Sequence, residues 1–206
     1  MSNIRNLLAA ALLVSAGNAV AASSVDLSVK GTITPSACTP SLSGGGSFDL
    51  GKLAAKDLNV DKVTRINGNY MQIRVACDAS TLFALESSDN RQGSVPDSHE
   101  GNHGLGIVNG GEKPGSYYAV LTAAVADGVP ARFIVSNDGG ANWWPGGELS
   151  VGSTTAVANN TSLTPMPVQV LTGEIELKAL IVPSKNLTLT EEFPLDGSAT
   201  VTVRYL

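Results

Sequence analysis

Histidine and cysteine are nearly missing from this chain, with two of each in 206 residues, and charged side chains make up only 15%. So few titratable groups leave little material for acid–base or nucleophilic chemistry. The 13 basic residues are outnumbered by 18 acidic ones, for a formal charge of −5. No broad basic face is therefore available to neutralise phosphates, which excludes a nucleic-acid partner. Beyond the amino terminus no window of a dozen residues has a clean helical period, and nowhere is there an apolar run long enough to span a bilayer as a helix. What is plentiful is glycine, at 22 residues, helped by 10 prolines. That balance favours turns and short strands over long solvated helices.

The amino terminus has its own pattern. Arg5 precedes the apolar run Leu7–Val14, and the small-residue string Ala19-Val20-Ala21-Ala22 follows. A basic start, a short apolar stretch and an A-x-A-like site predict a secretory signal peptide over residues 1–22. Export would carry the chain to an oxidising compartment, where Cys38 and Cys77 form a disulfide. They are not spaced as CxxC, and no histidine lies near either.

Behind the signal, Val25, Leu27, Val29, Gly31 and Ile33 alternate with Asp26, Ser28, Lys30 and Thr32. Period two places the two sets on opposite faces of an extended strand, which Pro35 ends. Asn67-Gly68 predicts a turn, after which Met71, Ile73, Val75 and Cys77 alternate and point Cys77 into a core. Further strands are expected at 81–85, 117–125, 131–135, 175–182 and 187–189. A last strand has Ala199, Val201, Val203 and Tyr205 on one face. Residues 54–58 suit one helical turn, and 137–167 read as loop containing a hairpin. The sum is an all-β sandwich of short antiparallel strands.

Two local motifs suggest other chemistry. His99-Glu100-Gly101-Asn102-His103 fits the zinc-hydrolase spacing H-E-x-x-H, which needs a helix to bring both imidazoles to one face. Six glycines fall between 93 and 111, each costing roughly 1 kcal/mol inside a helix. Asn109 also stands where the third ligand of a metzincin would be. A glycine-rich exposed loop is the better expectation, and no metal site is assigned. Ser136–Trp143 resembles the Asp-box turn of sialidase-type propellers, but it occurs once in a chain too short for a propeller. It predicts a stabilised hairpin with the tryptophan packed beneath the turn. Trp143 and Trp144 are then candidate contacts for a glycan, which makes a secreted carbohydrate-binding or adhesive module the alternative function.

The order of these features resembles a subunit of chaperone-usher fimbriae. The shared elements are a signal peptide, an alternating extension, Cys38 opening the first strand, Phe48-Asp49-Leu50-Gly51, and Ile73–Cys77 closing an alternating strand. The chain then ends in Ala199–Leu206 with a penultimate tyrosine, Tyr205. Gly104-Leu105-Gly106, Gly115-Ser116-Tyr117, the Asp138–Trp143 hairpin and Leu195–Ala199 are similar to the β-type fimbrial group. The resemblance implies an immunoglobulin-like antiparallel β-sandwich that is incomplete, its final strand missing. The domains would be a signal peptide at 1–22, a donor-strand extension at 23–36 and the sandwich at 37–206. Val25, Leu27, Val29, Gly31 and Ile33 would be the donor face, and Ala199, Val201, Val203 and Tyr205 the edge that receives a donor or a chaperone strand. Implied partners are other pilus subunits, a periplasmic chaperone and an outer-membrane usher, with export through the periplasm to the cell surface. No enzyme activity and no cofactor are expected.

Overall fold

The structure is a computed structural model that describes residues 37–99 and 101–206. The signal segment and the alternating residues Val25–Ile33 lie outside the described residues. From residue 37 on, the chain forms one compact unit. In order, its strands are β1 (Cys38–Leu42), β2 (Thr64–Thr81), β3 (Phe83–Asp89), β4 (His103–Gly104), β5 (Gly115–Ala126) and β6 (Val129–Pro130). Then come β7 (Arg132–Ser136), β8 (Trp144–Pro145), β9 (Glu148–Leu149), β10 (Thr154–Ala158), β11 (Val168–Ile181) and β12 (Ala199–Tyr205). Among the described residues there is no α-helix, only short 3-10 turns. One of these, Ala55–Asp57, sits where a single helical turn is expected.

Two antiparallel sheets result. The first runs β1-β2-β11-β5-β4, with β6 and β9 also on β5, and the second runs β12-β3-β10-β7-β8. Alternation decides what each strand buries. Met71, Ile73, Val75 and Cys77 are buried, while Gln72 and Arg74 between them are exposed. They pack against Phe83 and Leu85 of β3, Phe133 of β7, Val157 of β10 and Leu171 and Ile175 of β11. This is the expected all-β sandwich, with its core between the two inner faces.

The disulfide is present. Cys38 and Cys77 face each other directly across β1 and β2, joining positions 39 residues apart. A cross-link closing a loop of that size stabilises by about 2–4 kcal/mol, mainly by restricting the unfolded chain.

Four local expectations are corrected. Asn67-Gly68 is not a turn but lies inside β2, because the residues on both sides of it pair with the same strand, β11. Glu176 pairs with Tyr70 and Lys178 with Asn67, so β2 spends one extra residue there as a bulge. A Cβ at Gly68 would lie 3.1 Å from the Leu177 carbonyl oxygen, a closeness only glycine tolerates well. The strand expected at 81–85 begins instead at Phe83 and runs to Asp89. The 137–167 region contains β10, a central strand of the second sheet between β3 and β7. All five of its residues are buried, so no alternation announces it. Finally, 187–189 forms no strand; a 3-10 turn at Ser184–Asn186 leads into an irregular strap.

Sheet edges are treated unequally. The outer edge of β5 is occupied in succession by β4, β9 and β6, and β8 at the far edge of the second sheet ends in Pro145. Such coverings discourage edge-to-edge association. β1 and β12 are different: each pairs along one side only among the described residues, β1 with β2 and β12 with β3. They meet at one corner, where the Cys38 backbone N–H donates to the Tyr205 hydroxyl at 3.1 Å.

Candidate functional site

Between β1 and β12 no described strand closes the core. Val201 and Val203 point inward and pack on the central cluster, yet remain half-buried, as do Leu42 of the opposing sheet and Phe48 of the irregular segment beyond it. Beside them opens a cleft of ≈ 960 Å³ whose walls include Leu42, Met71, Leu177, Leu195, Ala199 and Val201. It continues beneath two irregular segments, 47–58 and 187–195, which cover the part of the first sheet that the shorter second sheet does not reach. Their leucines are half-buried against Tyr117, Leu177 and Ile181. The segments are joined at the rim by an exposed Lys52–Glu192 ion pair at 3.1 Å. The 187–195 strap is also held at Thr188, whose N–H and hydroxyl donate to the Glu112 carboxylate at 2.8 and 2.6 Å. These bonds, with one from Asn109, lower the Glu112 pKa.

The floor of the cleft is polar, which the sequence reading missed. Ser87 of β3 faces inward opposite Val201, and its hydroxyl lies 3.1 Å from His103 Nε2. The His103 ring stacks on Tyr117 with centroids 5.1 Å apart. His99 Nδ1 lies 2.9 Å from the Ser116 hydroxyl. Burial pushes both imidazoles down in pKa, the nearby Asp89 carboxylate pulling His103 partly back. The Tyr117 phenol is pushed up to about 12, chiefly by burial. Period-two alternation through Phe83, Leu85 and Ser87 was the signal that could have placed Ser87 inside.

These histidines correct another expectation. They do not sit in an exposed loop: His99 is 9% and His103 1% exposed. Nor do they share a helix face, since His99 ends a 3-10 turn and His103 opens β4. Among the described residues, no group of three or more His, Cys, Asp or Glu side chains is arranged to hold a metal. Asp89 does not complete a catalytic triad through its bonded contacts, because its carboxylate accepts the backbone N–H groups of Arg91 and Gly104 at 2.8 and 3.1 Å. The cluster is a polar floor that ties β3, β4 and β5 together, although among the described residues His103 Nδ1 is buried there without a hydrogen-bond partner.

The Asp138 turn is built as its sequence suggests. Its carboxylate accepts the Ser136 hydroxyl at 2.7 Å, the Asn142 N–H at 2.9 Å and the Asn142 side-chain amide at 2.7 Å. Those bonds hold its pKa down at about 2. Trp143 packs against Ala84, Ile134, Ala156 and Ala158 on the outer face of the second sheet, whereas Trp144 is 49% exposed. The two tryptophans lie outside the cleft. Of the other residues singled out in the sequence, Cys38 and Cys77 are bonded, and Ala199, Val201, Val203 and Tyr205 form the one-sided edge strand.

Fold and site together define a class: a two-sheet antiparallel β-sandwich in which the described residues leave one flank open between two edge strands. Residues 27–124 match the model of the family described as "Protein of unknown function (DUF1120)", from inside the alternating extension to β5. Across nearly the full length, the chain is 28% identical to Protein GltF of Escherichia coli (strain K12), with 97% of this chain and 96% of that protein aligned. It is also 30% identical to the uncharacterized protein YhcF of the same strain, over 54% of this chain and 48% of that one.

Proposed function

We propose that this protein is a structural subunit of a surface fimbria, built by strand exchange between copies and contributing to adhesion. The observation that carries the reading is the flank between β1 and β12: among the described residues each of these strands pairs along one side only, beside a cleft with largely aliphatic walls, while the outer edge of β5 is covered and β8 ends in proline. An edge of that kind invites an added strand, whose main chain supplies affinity and whose alternate side chains supply register. The sequence carries a suitable strand in Val25–Ile33. At roughly 3.3 Å per residue it reaches about 30 Å, enough to lie along the seven residues of β12, about 23 Å. A periplasmic chaperone would occupy the flank before assembly, and an outer-membrane usher would pass subunits to the surface.

Deleting residues 24–32 from the exported chain tests this. The variant should fold with its chaperone and remain monomeric, while the intact chain forms polymers visible by size-exclusion chromatography and electron microscopy. Polymer growth without the segment overturns the reading.

A further inference from the structure

The geometry points to the outer face of the first sheet as a binding platform for a neutral oligosaccharide, with Tyr70 and Tyr118 stacking on its rings. The inference does not depend on strand exchange, and it concerns the side of the sheet that faces away from the cleft.

The two outer faces of the sandwich differ. On the second sheet Trp143 packs over Ala84, Ile134, Ala156 and Ala158, all buried. On the first sheet alternation sends Ile175 and Leu177 into the core and Glu174, Glu176 and Lys178 outward along β11, the middle strand. Direct pairing puts Glu174 beside Gln72, Glu176 beside Tyr70 and Lys178 beside Tyr118 on that same face. Tyr70 of β2 and Tyr118 of β5 thus flank β11 from opposite sides, and two strand spacings set their backbones about 10 Å apart across the sheet. Between them Lys178 Nζ and the Glu176 carboxylate lie 3.2 Å apart. That contact raises the Lys178 pKa, with both tyrosines adding to the effect. Among the described residues the row stays open to solvent, Tyr70 being 63% exposed and Gln72 exposed beside Glu174.

Chemistry selects the occupant. A protein partner would bury the charges of β11 at the middle of its interface, where charge is depleted because desolvating it is costly. A sugar meets the same groups with hydroxyls and keeps them hydrogen-bonded, while its apolar ring faces rest on the tyrosines. Two glutamates against one lysine along β11, on a chain of formal charge −5, disfavour sialylated or phosphorylated ligands and leave a neutral glycan.

The test is retention of the intact exported chain on immobilised cellotetraose, chitotetraose, maltotetraose and sialyllactose, followed by titration of the best-retained sugar. Wild type should hold a neutral sugar and not sialyllactose. Tyr70→Ala, at an exposed position that leaves the thermal midpoint unchanged, should weaken binding by about tenfold or more, and Tyr70→Trp should restore it. Glu174→Gln keeps the shape and removes the charge, and should weaken binding about two- to tenfold. Retention of no neutral sugar, preference for sialyllactose, or full affinity in Tyr70→Ala overturns the platform. So does a second copy on this face, seen as self-association of the sugar-free protein that Tyr70→Ala abolishes. Loss of binding in Trp144→Ala but not in Tyr70→Ala would move the site to the hairpin and overturn it too. Each of these outcomes leaves the strand-exchange reading standing.

Discussion

Asp138 shows how one carboxylate can organise a hairpin and leave a pH signature. Its folded pKa of about 2 lies below the ordinary aspartate range because the charged form accepts bonds from Ser136 and Asn142. A depressed carboxylate stabilises the fold above its unfolded pKa, near 4, and that contribution is lost as pH falls through about 2. Glu86 and Glu112 are also depressed, chiefly by Arg204 and by Thr188 respectively, so each adds stability that is lost on acidification. The decisive quantity is a difference. Asp138→Asn should lower the thermal midpoint at pH 6, and the gap from wild type should narrow steadily between pH 4 and pH 2. A constant gap would show that the carboxylate charge does not hold the turn. This motif was readable because Asp, Gly and Asn carry turn chemistry at fixed offsets. The buried histidines were harder, because a glycine-rich stretch around them imitates an exposed loop. What internalises them is the pairing of His103 with Tyr117 across β4 and β5, a long-range contact that no local pattern announces.

Among the elements, β11 shows how the long first sheet is shaped. Gly173 lies where β5 carries an extra residue, between the Thr172–Val125 and Glu174–Thr122 pairs. Ala123 at that bulge adopts a positive φ of 52°. The missing side chain at 173 makes room for a ring from the other sheet: a Cβ there would lie 2.8 Å from Phe133 Cζ and 3.1 Å from the Thr122 carbonyl oxygen. Gly173→Ala should therefore cost about 1–3 kcal/mol by overpacking, measured by denaturant unfolding. Phe133→Leu alone should also destabilise, but the pair should cost less than the sum of the two. Simple additivity would mean that the ring and the glycine do not share the space. Strands with one wet face, such as β2 and β12, were legible from alternation. β10 was not, since both its faces are covered, and Asn67-Gly68 was misread because a bulge and a hairpin turn use the same dipeptide.

At the scale of the whole molecule, the described residues leave the sandwich without closure along one flank, and its stability should rise when that flank is filled. Val201, Val203, Leu42 and Phe48 are only half-buried where a complete sandwich would cover them. Appending residues 25–33 after Leu206 through a flexible linker, in a chain without residues 24–32, supplies the occupant at high effective concentration. Burying a large aliphatic side chain is worth about 1.5–3 kcal/mol, and the segment offers Val25, Leu27, Val29 and Ile33. Ordering the segment offsets much of that, leaving a gain on the order of a few kcal/mol. The thermal midpoint should rise by several degrees or more. The same fusion with Leu27→Asp and Val29→Asp should give no gain, because unpaired charge would be carried against the aliphatic walls of the cleft. Equal midpoints for the two fusions would mean that the appended strand does not enter the core. A rise confined to the alternating sequence would connect the period-two pattern at the start of the chain with the one-sided strand at its end.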